Sequence, residues 1–276
     1  MRRPHVPFAK RVYRPVIREY DATRQGDDMT EHRIGTQEQW QAQRDELLKE
    51  EKELTRRGDE LTAKRRELPW VAVEKDYRFD TERGTQGLAD LFDGRSQLMV
   101  YHFMFGPSYE AGCPVCTSIA DTLAPQVPHL KARDTTLILA SRGPLAKLVA
   151  YRKRMGWDID WVSSGGSDFN RDIGFMHTEE ELQPFLAGEI PVTVVQNAEM
   201  CGTTPGGYVA EGPGLSVYAL ADGVVYRTYV STARGLELAM PYYALLDRTP
   251  KGRDEHPGTP PWLRRHDEYE AGVATV

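Results

Sequence analysis

The chain has 276 residues, 40% of them hydrophobic and 28% charged, enough to build a sizeable core in one elaborated domain. A net charge of −6 and a pI near 5.7 point away from nucleic acid or an anionic membrane as partner, and no window reaches the roughly 18 apolar residues of a membrane span. The three cysteines, Cys113, Cys116 and Cys201, are too few and too unevenly spaced for a secreted disulfide scaffold; in a reducing, cytoplasmic setting a close pair is catalytic or metal-binding rather than structural.

Residues 1–28 differ from the rest. They carry Arg2, Arg3, Lys10, Arg11, Arg14, Arg18 and Arg24 and lack the apolar centre of a secretory signal. Glu19, Asp21, Asp27 and Asp28 argue against an organelle-targeting peptide, so the segment reads as a flexible or strand-like extension, with Met29 an alternative start. Residues 29–70 form a long charged helix. Thr36 and Gln39 have capping-box spacing, and Trp40, Leu47, Leu54, Leu61 and Leu68 recur every seven positions, with Leu48 widening the stripe. That is a narrower seam than a coiled coil needs. It suits either docking on the body or a homodimer through residues 36–68. Gly58 weakens its middle by about 1 kcal/mol relative to Ala, and Pro69 ends it.

Residues 71–248 carry the body. Val71 to Asp80 is extended and Gly87 to Phe92 is a short helical turn. Asp93-Gly94 leads into the strand Leu98–Phe105, which is apolar on both faces, as in the middle of a covered sheet. His102 within it reads as a core histidine. Helical sequence runs from Thr117 to Leu130, kinked at Pro125 and Pro128. A strand at Thr135–Ala140, an amphipathic helix at Leu145–Met155 and a strand at Trp157–Val162 complete a β-α-β-α-β order, which favours parallel pairing. Residues 163–212 are less regular. An acidic helical turn is expected at Glu179–Leu186 and a strand at Ile190–Val195. The Gly- and Pro-rich run Gly202–Gly214 has no phosphate-binding pattern. Ala221-Asp222-Gly223 joins strands Leu215–Leu220 and Val224–Val230 as a hairpin, and Leu236–Leu246 is the closing helix. Residues 249–276 form a charged, Pro-rich C-terminal tail in which Trp262 is a candidate anchor.

The chemistry concentrates at Gly112-Cys113-Pro114-Val115-Cys116, between a strand and a helix. A Cys-x-x-Cys in that position reads as a redox-active disulfide site. The unpaired N–H groups of a helix's first turn favour a thiolate over a thiol, making Cys113 the attacking group. Cys116 lies on the same helix face and can resolve a mixed disulfide. Pro114 fits the first turn, where a missing N–H costs nothing. The order of elements is an α/β, thioredoxin-like mixed sheet flanked by helices, with a long N-terminal helix and an insertion before the C-terminal hairpin. In that fold a cis-proline precedes the hairpin and faces the cysteines. Pro191 and Pro213 are candidates, and Pro213 is better placed. Tyr109, Pro114, Gly212 and Pro213 are therefore the candidate substrate-binding positions.

Long runs of the chain also resemble a known family. They include Leu68-Pro69-Trp70-Val71, Val73-Glu74-Lys75-Asp76-Tyr77, Leu91-Phe92-Asp93-Gly94-Arg95-Ser96-Gln97-Leu98 and Tyr101-His102-Phe103-Met104-Phe105-Gly106-Pro107. Gly112-Cys113-Pro114, Arg154-Met155-Gly156-Trp157, Trp161-Val162-Ser163-Ser164, Gly166-Ser167-Asp168-Phe169-Asn170 and Thr249-Pro250-Lys251-Gly252-Arg253 continue the match. The chain resembles, from about Met29 to about Tyr269, the thioredoxin-like family catalogued as domain of unknown function 899. That resemblance implies a dithiol–disulfide oxidoreductase. Residues 174–209 match the family pattern least, and Cys201 is not part of it.

Four functions fit the residues. The leading one is a thiol–disulfide oxidoreductase that needs no cofactor, acting on a protein or small-molecule disulfide and recharged by a thiol reductant. A peroxiredoxin-type thiol peroxidase would need a peroxide pocket built from Ser108, Thr117 and an arginine. A copper- or zinc-binding module would add His102 or His177 to the two cysteines. An interaction scaffold with incidental cysteines is the fourth.

Overall fold

A computed structural model describes residues 32–255 and 262–269 of the chain. The extension read at residues 1–28 lies outside the described residues. Helix α1 (Gln37–Arg66) opens on the expected capping box: the Thr36 hydroxyl accepts from the Gln39 amide, and the Gln39 side chain accepts from the Thr36 amide. Its last turn carries Lys64, Arg65 and Arg66, which suit the negative end of the helix dipole. No residue of α1 is buried, and the leucine stripe stays open, with Leu54 74% exposed.

The sheet has eight strands: β1 (Val71–Ala72), β2 (Arg78–Thr81), β3 (Gly84–Gly87), β4 (Gln97–His102), β5 (Thr135–Ser141), β6 (Asp160–Ser163), β7 (Gly214–Ala221) and β8 (Val224–Thr232). Their order is β1-β8-β7-β4-β5-β6-β2-β3. β4, β5 and β6 run parallel, joined through α2 (Pro114–Leu123) and α3 (Val127–Lys131) and then through α4 (Leu145–Met155). β7 and β8 add antiparallel on the other side of β4. The fold is therefore thioredoxin-like: a β-α-β unit with a terminal hairpin beside its first strand, and a Cys-x-x-Cys at the start of the first crossover helix.

Alternation along the central strands divides the core. Leu98 and Val100 of β4 and Ile138 and Ala140 of β5 join Phe79, Phe92 and Phe169 on one face. Tyr101 and Phe103, with Leu137 and Leu139, face the side that carries the cysteines. His102 is fully buried with both ring nitrogens engaged, Nδ1 with the Asn170 side chain at 3.3 Å and Nε2 with the Ser216 hydroxyl at 2.7 Å. Burial pushes its pKa down to about 3, so it is a neutral core residue.

Three local expectations change. The β-branched run at 190–195 is not a strand. α7 (Val192–Met200) begins after Pro191, and Val194 and Ala198, one turn apart, give it a buried face. Pro191 suits the start of a helix, and packing of an amphipathic face overrides the weak β preference of Val and Thr. The closing helix is divided at Pro241 into a 3₁₀ stretch (Ala233–Ala239) and α9 (Pro241–Leu246), because proline starts a helix more readily than it continues one. No peptide bond among the described residues is cis, including that before Pro213. The expected hairpin turn is present, with Asp222 and Gly223 both at positive φ (51° and 77°). No helix among the described residues is long and apolar enough to cross a membrane.

The contrast between core and helix gives a first test. Ile138→Ala should lower the unfolding free energy by about 2–5 kcal/mol, since it empties space in the middle of a covered sheet. Leu54→Asp should change it by less than about 0.5 kcal/mol, since the side chain is already in water. Urea titrations of the two variants check both.

Candidate functional site

The chain leaves β4 through Phe103, Met104 and Phe105 and returns to it at the cysteines. The Cys113 amide donates to the Met104 carbonyl at 3.2 Å, and the Met104 amide donates to the Cys116 sulfur at 3.4 Å. Gly112 lets this return be close: a Cβ there would meet the Phe103 ring at 2.7 Å and the Tyr151 ring at 3.1 Å. Cys113 is the N-cap of α2 and Pro114 sits in its first turn. Phe103, Phe105, Tyr151, Trp157 and Trp161 pack edge to face or tilted around this segment. The sequence suggests that Cys113 is the more exposed thiol; in the structure Cys113 and Cys116 are both 1% exposed and Cys201 is fully buried. All three are free thiols.

The cover comes from the irregular insertion, which holds α5 (Phe169–Ile173), α6 (Glu179–Leu186), α7 and α8 (Pro205–Val209). Cys201 caps the C-terminus of α7. Its carbonyl accepts from the Glu110 amide at 2.9 Å and the Ala111 amide at 3.2 Å, which pins the insertion to the loop before Cys113. From α8, the Tyr208 hydroxyl lies 3.5 Å from the Cys113 sulfur. Tyr109, a candidate substrate contact by sequence, is fully buried behind it. It stacks on the Tyr208 ring at 6.2 Å, and its hydroxyl donates to the Tyr208 carbonyl at 2.8 Å. Gly212 donates its amide to the Phe175 carbonyl at 2.8 Å, and the Pro213 carbonyl accepts from the Thr232 hydroxyl at 2.8 Å. The hydroxyl that reaches the Cys113 sulfur is that of Tyr208, and Cys116 and Cys201 lie in the same buried cluster.

The three thiols are not equivalent. Hydrogen bonds from Cys116 and then Cys201 hold the Cys113 thiol well below its ordinary pKa, against the opposing effect of burial. By strict geometry the sulfur makes no capping hydrogen bond to α2, so the helix amides are a lesser contributor than the two thiols. Cys116 moves the other way, through burial and through its bond to the Cys113 sulfur. Cys201 is pushed up as well, first by its bond to Cys113 and then by burial, with Arg265 opposing. Burial, followed by the nearby Cys113 charge, raises Tyr208. The arrangement favours ionisation of Cys113 and disfavours it at Cys116, Cys201 and Tyr208.

Arg265, from beyond α9, holds the site together. Only 5% exposed, it donates from Nε to the Gly112 carbonyl at 3.1 Å and the Tyr151 hydroxyl at 3.0 Å. Its Nη2 reaches the Gly112 carbonyl at 2.8 Å and the Met200 carbonyl at 2.6 Å, and Nη1 pairs with Glu268 at 2.9 Å. The residues preceding Cys113 and Cys201 are thus joined by one planar, multi-donor group.

The two hydroxyls proposed for a peroxide pocket are already paired within the protein. The Ser108 hydroxyl pairs with Thr203 at 2.8 Å, and the Thr117 hydroxyl donates to the Cys113 carbonyl and pairs with Tyr151, each at 2.9 Å. Among the described residues no group of three or more His, Cys, Asp or Glu side chains is placed to hold a metal ion, and His102 is spent on Asn170 and Ser216. Tyr208 and Arg265 carried no signal in the local sequence. The span of the family resemblance, to about Tyr269, and Trp262 as a candidate anchor are the hints that the tail belongs with the body.

Beneath the site, Glu211 is 3% exposed and paired with Arg142 at 2.8 Å. Burial pushes its carboxyl up to about 7 from an ordinary 4.5, with Arg142 pulling it down. A raised carboxyl pKa means the folded chain keeps a proton that the unfolded chain has lost. Its contribution is therefore full below about 4.5, declines as pH rises toward about 7, and is flat above that. The melting temperature of the native protein minus that of Glu211→Gln should fall across this window and then level off. A difference that rises with pH, or stays constant, would show that Glu211 is ionised in the fold throughout.

A family model described as Bacterial protein of unknown function (DUF899) matches residues 29–269. No curated protein sequence matches the chain at a significant level. Among solved structures, a mutant of Xylella fastidiosa PrxQ is similar at 9% identity and a TM-score of 0.40, over 64% of this chain and 95% of that one. Peroxidoxin BcpB from Mycobacterium tuberculosis is similar at 12% identity and a TM-score of 0.41, over 63% of this chain and 91% of that one. A hypothetical protein from Sinorhizobium meliloti 1021 is similar at 12% identity and a TM-score of 0.38, over 69% and 78% of the two chains.

Proposed function

The chain belongs to the DUF899 family of bacterial proteins, and on that premise we propose that it is a thiol–disulfide oxidoreductase in which Cys113 attacks a substrate disulfide and Cys116 resolves the mixed disulfide. The observation that supports this reading is the placement of the pair, with Cys113 at the N-cap and Cys116 in the first turn of the same helix, where the Cys113 thiol is held well below its ordinary pKa and the Cys116 thiol is pushed well above its own. A thiolate is the competent nucleophile. Once Cys113 is bonded to substrate its negative charge is gone, and with it the interaction that kept Cys116 protonated. Cys116 can then ionise and attack the Cys113 sulfur. Resolution is thereby tied to the first step.

Burial narrows the substrate. Both sulfurs are 1% exposed under Tyr208 and the α7–α8 segment, so a compact disulfide suits the site better than a folded protein surface. A dithiol reductant would return the pair to the reduced state. Peroxidase chemistry is the second reading, and it is less favoured because the Ser108 hydroxyl is paired with Thr203 and the Thr117 hydroxyl with the Cys113 carbonyl and Tyr151.

The test compares turnover of 2-hydroxyethyl disulfide and of hydrogen peroxide, with dithiothreitol as reductant. The native protein should turn over the disulfide faster than the peroxide, and Cys113→Ser should fall to the uncatalysed rate. Faster consumption of peroxide would make the protein a thiol peroxidase. Full activity in Cys113→Ser would remove the site assignment.

A further inference from the structure

The insertion brings a third thiol to the pair. Cys201 is separated from Cys116 by 84 intervening positions in the sequence, yet it lies in the same buried cluster as Cys113 and Cys116. Its placement is built rather than incidental. The Cys201 carbonyl is gripped by the Glu110 and Ala111 amides, and the Met200 carbonyl by Arg265, which also grips the Gly112 carbonyl. Gly202 follows at positive φ (62°), against the Glu110 side chain, where a Cβ would come within 2.7 Å of it. Two backbone segments, 110–113 and 200–202, are thus fixed side by side, and each carries a cysteine. A structural cysteine in an apolar core needs no such fixing.

We propose that Cys201 is a second resolving thiol, so that the site closes a Cys113–Cys201 disulfide as well as a Cys113–Cys116 one. The proposal rests on the thiol–disulfide reading of the same site. The Cys113 thiolate attacks one sulfur of a disulfide R–S–S–R, forms a Cys113–S–R bond and releases one RS⁻, which takes up a proton. The Cys201 thiol gives up its proton and attacks the Cys113 sulfur. The Cys113–Cys201 bond forms, and the second RS⁻ leaves and is protonated. Two cysteine thiols have been oxidised to one disulfide, and one substrate disulfide has been reduced to two thiols. Cys116 can then attack Cys113 and release Cys201, an exchange with no net transfer of electrons. An external dithiol reduces whichever disulfide remains. Because Cys201 lies on the covering insertion and Cys116 on the helix beneath, either resolving thiol can act while the other stays reduced.

The test uses the full chain and 2-hydroxyethyl disulfide as the probe. Mass spectrometry of intact protein and of peptides, after acid quenching, reports each bond. Cys116→Ser should lose two hydrogens and yield a Cys113–Cys201 peptide pair rather than stall as a mixed disulfide. Cys201→Ser should yield Cys113–Cys116. The Cys116→Ser, Cys201→Ser double variant should stall with the probe's half on Cys113. Partly oxidised native protein should contain both internal disulfides, which keeps the test independent of whether any variant folds. If Cys116→Ser stalls as the mixed disulfide, or native protein yields Cys113–Cys116 alone at every degree of oxidation, Cys201 is not a resolving thiol, although the dithiol function stands. If native protein forms neither an internal disulfide nor an adduct on Cys113, the thiol–disulfide function itself fails, and the inference with it.

Discussion

A cysteine whose ionised form is favoured although it is kept away from water is the constraint on which the proposed chemistry depends. An isolated charge in an aromatic pocket is expensive, and it survives only where hydrogen-bond donors replace the lost solvent. Here the neighbouring Cys116 and Cys201 thiols lower the Cys113 pKa, and the Tyr208 phenol, 3.5 Å from the sulfur, lowers it further. Each comes from a different stretch of chain: α2 gives Cys116, the end of α7 gives Cys201, and α8 gives Tyr208. The insertion that separates the β-α-β half from the terminal hairpin is therefore part of the site. In the proposed chemistry the same neighbours set the order of steps, because a charge on Cys113 pushes the Cys116 and Cys201 thiols up.

The sheet puts this cluster where it is needed. Parallel strands β4, β5 and β6 all end on the same side, and their loops meet there. The Gly143 amide, after β5, donates to the Phe105 carbonyl after β4 at 2.7 Å. The Ser163 hydroxyl, at the end of β6, donates to the Gly143 carbonyl at 2.8 Å. Arg142 extends from the same loop to Glu211 on the insertion. Arg265 closes the arrangement from the other end of the chain, using the fixed fork of its guanidinium to join carbonyls beside two of the three cysteines. Leu263, two positions earlier, is buried in the cluster of side chains that includes the cysteines.

The sequence exposes local regularities and hides distant ones. Helix α4 is legible from end to end because its apolar spacing, the glycine at its C-terminus and its basic last turn agree. The hairpin is legible because Asp222-Gly223 can adopt the positive φ a two-residue turn requires. The placement of the paired cysteines is legible because their spacing puts both at the start of the helix that follows β4. The segment 190–195 misleads, because β-branched residues suit both a strand and a buried helical face, and only packing partners decide. The partners of Cys113 lie beyond the reach of any local pattern: Tyr208 is 95 residues away, and Arg265 is 153 residues from Gly112. Nothing near Cys201 in sequence marks it as a neighbour of the pair.

The central claim is that Cys113 is ionised inside the fold. Thiolate absorbance near 240 nm measures this without asking any reagent to reach the buried sulfur. The account predicts one thiolate in the reduced native protein at neutral pH, lost only on acidification and missing from Cys113→Ser. Absorbance that appears only as pH rises past the ordinary thiol value of about 8.5, or that persists unchanged in Cys113→Ser, would contradict it.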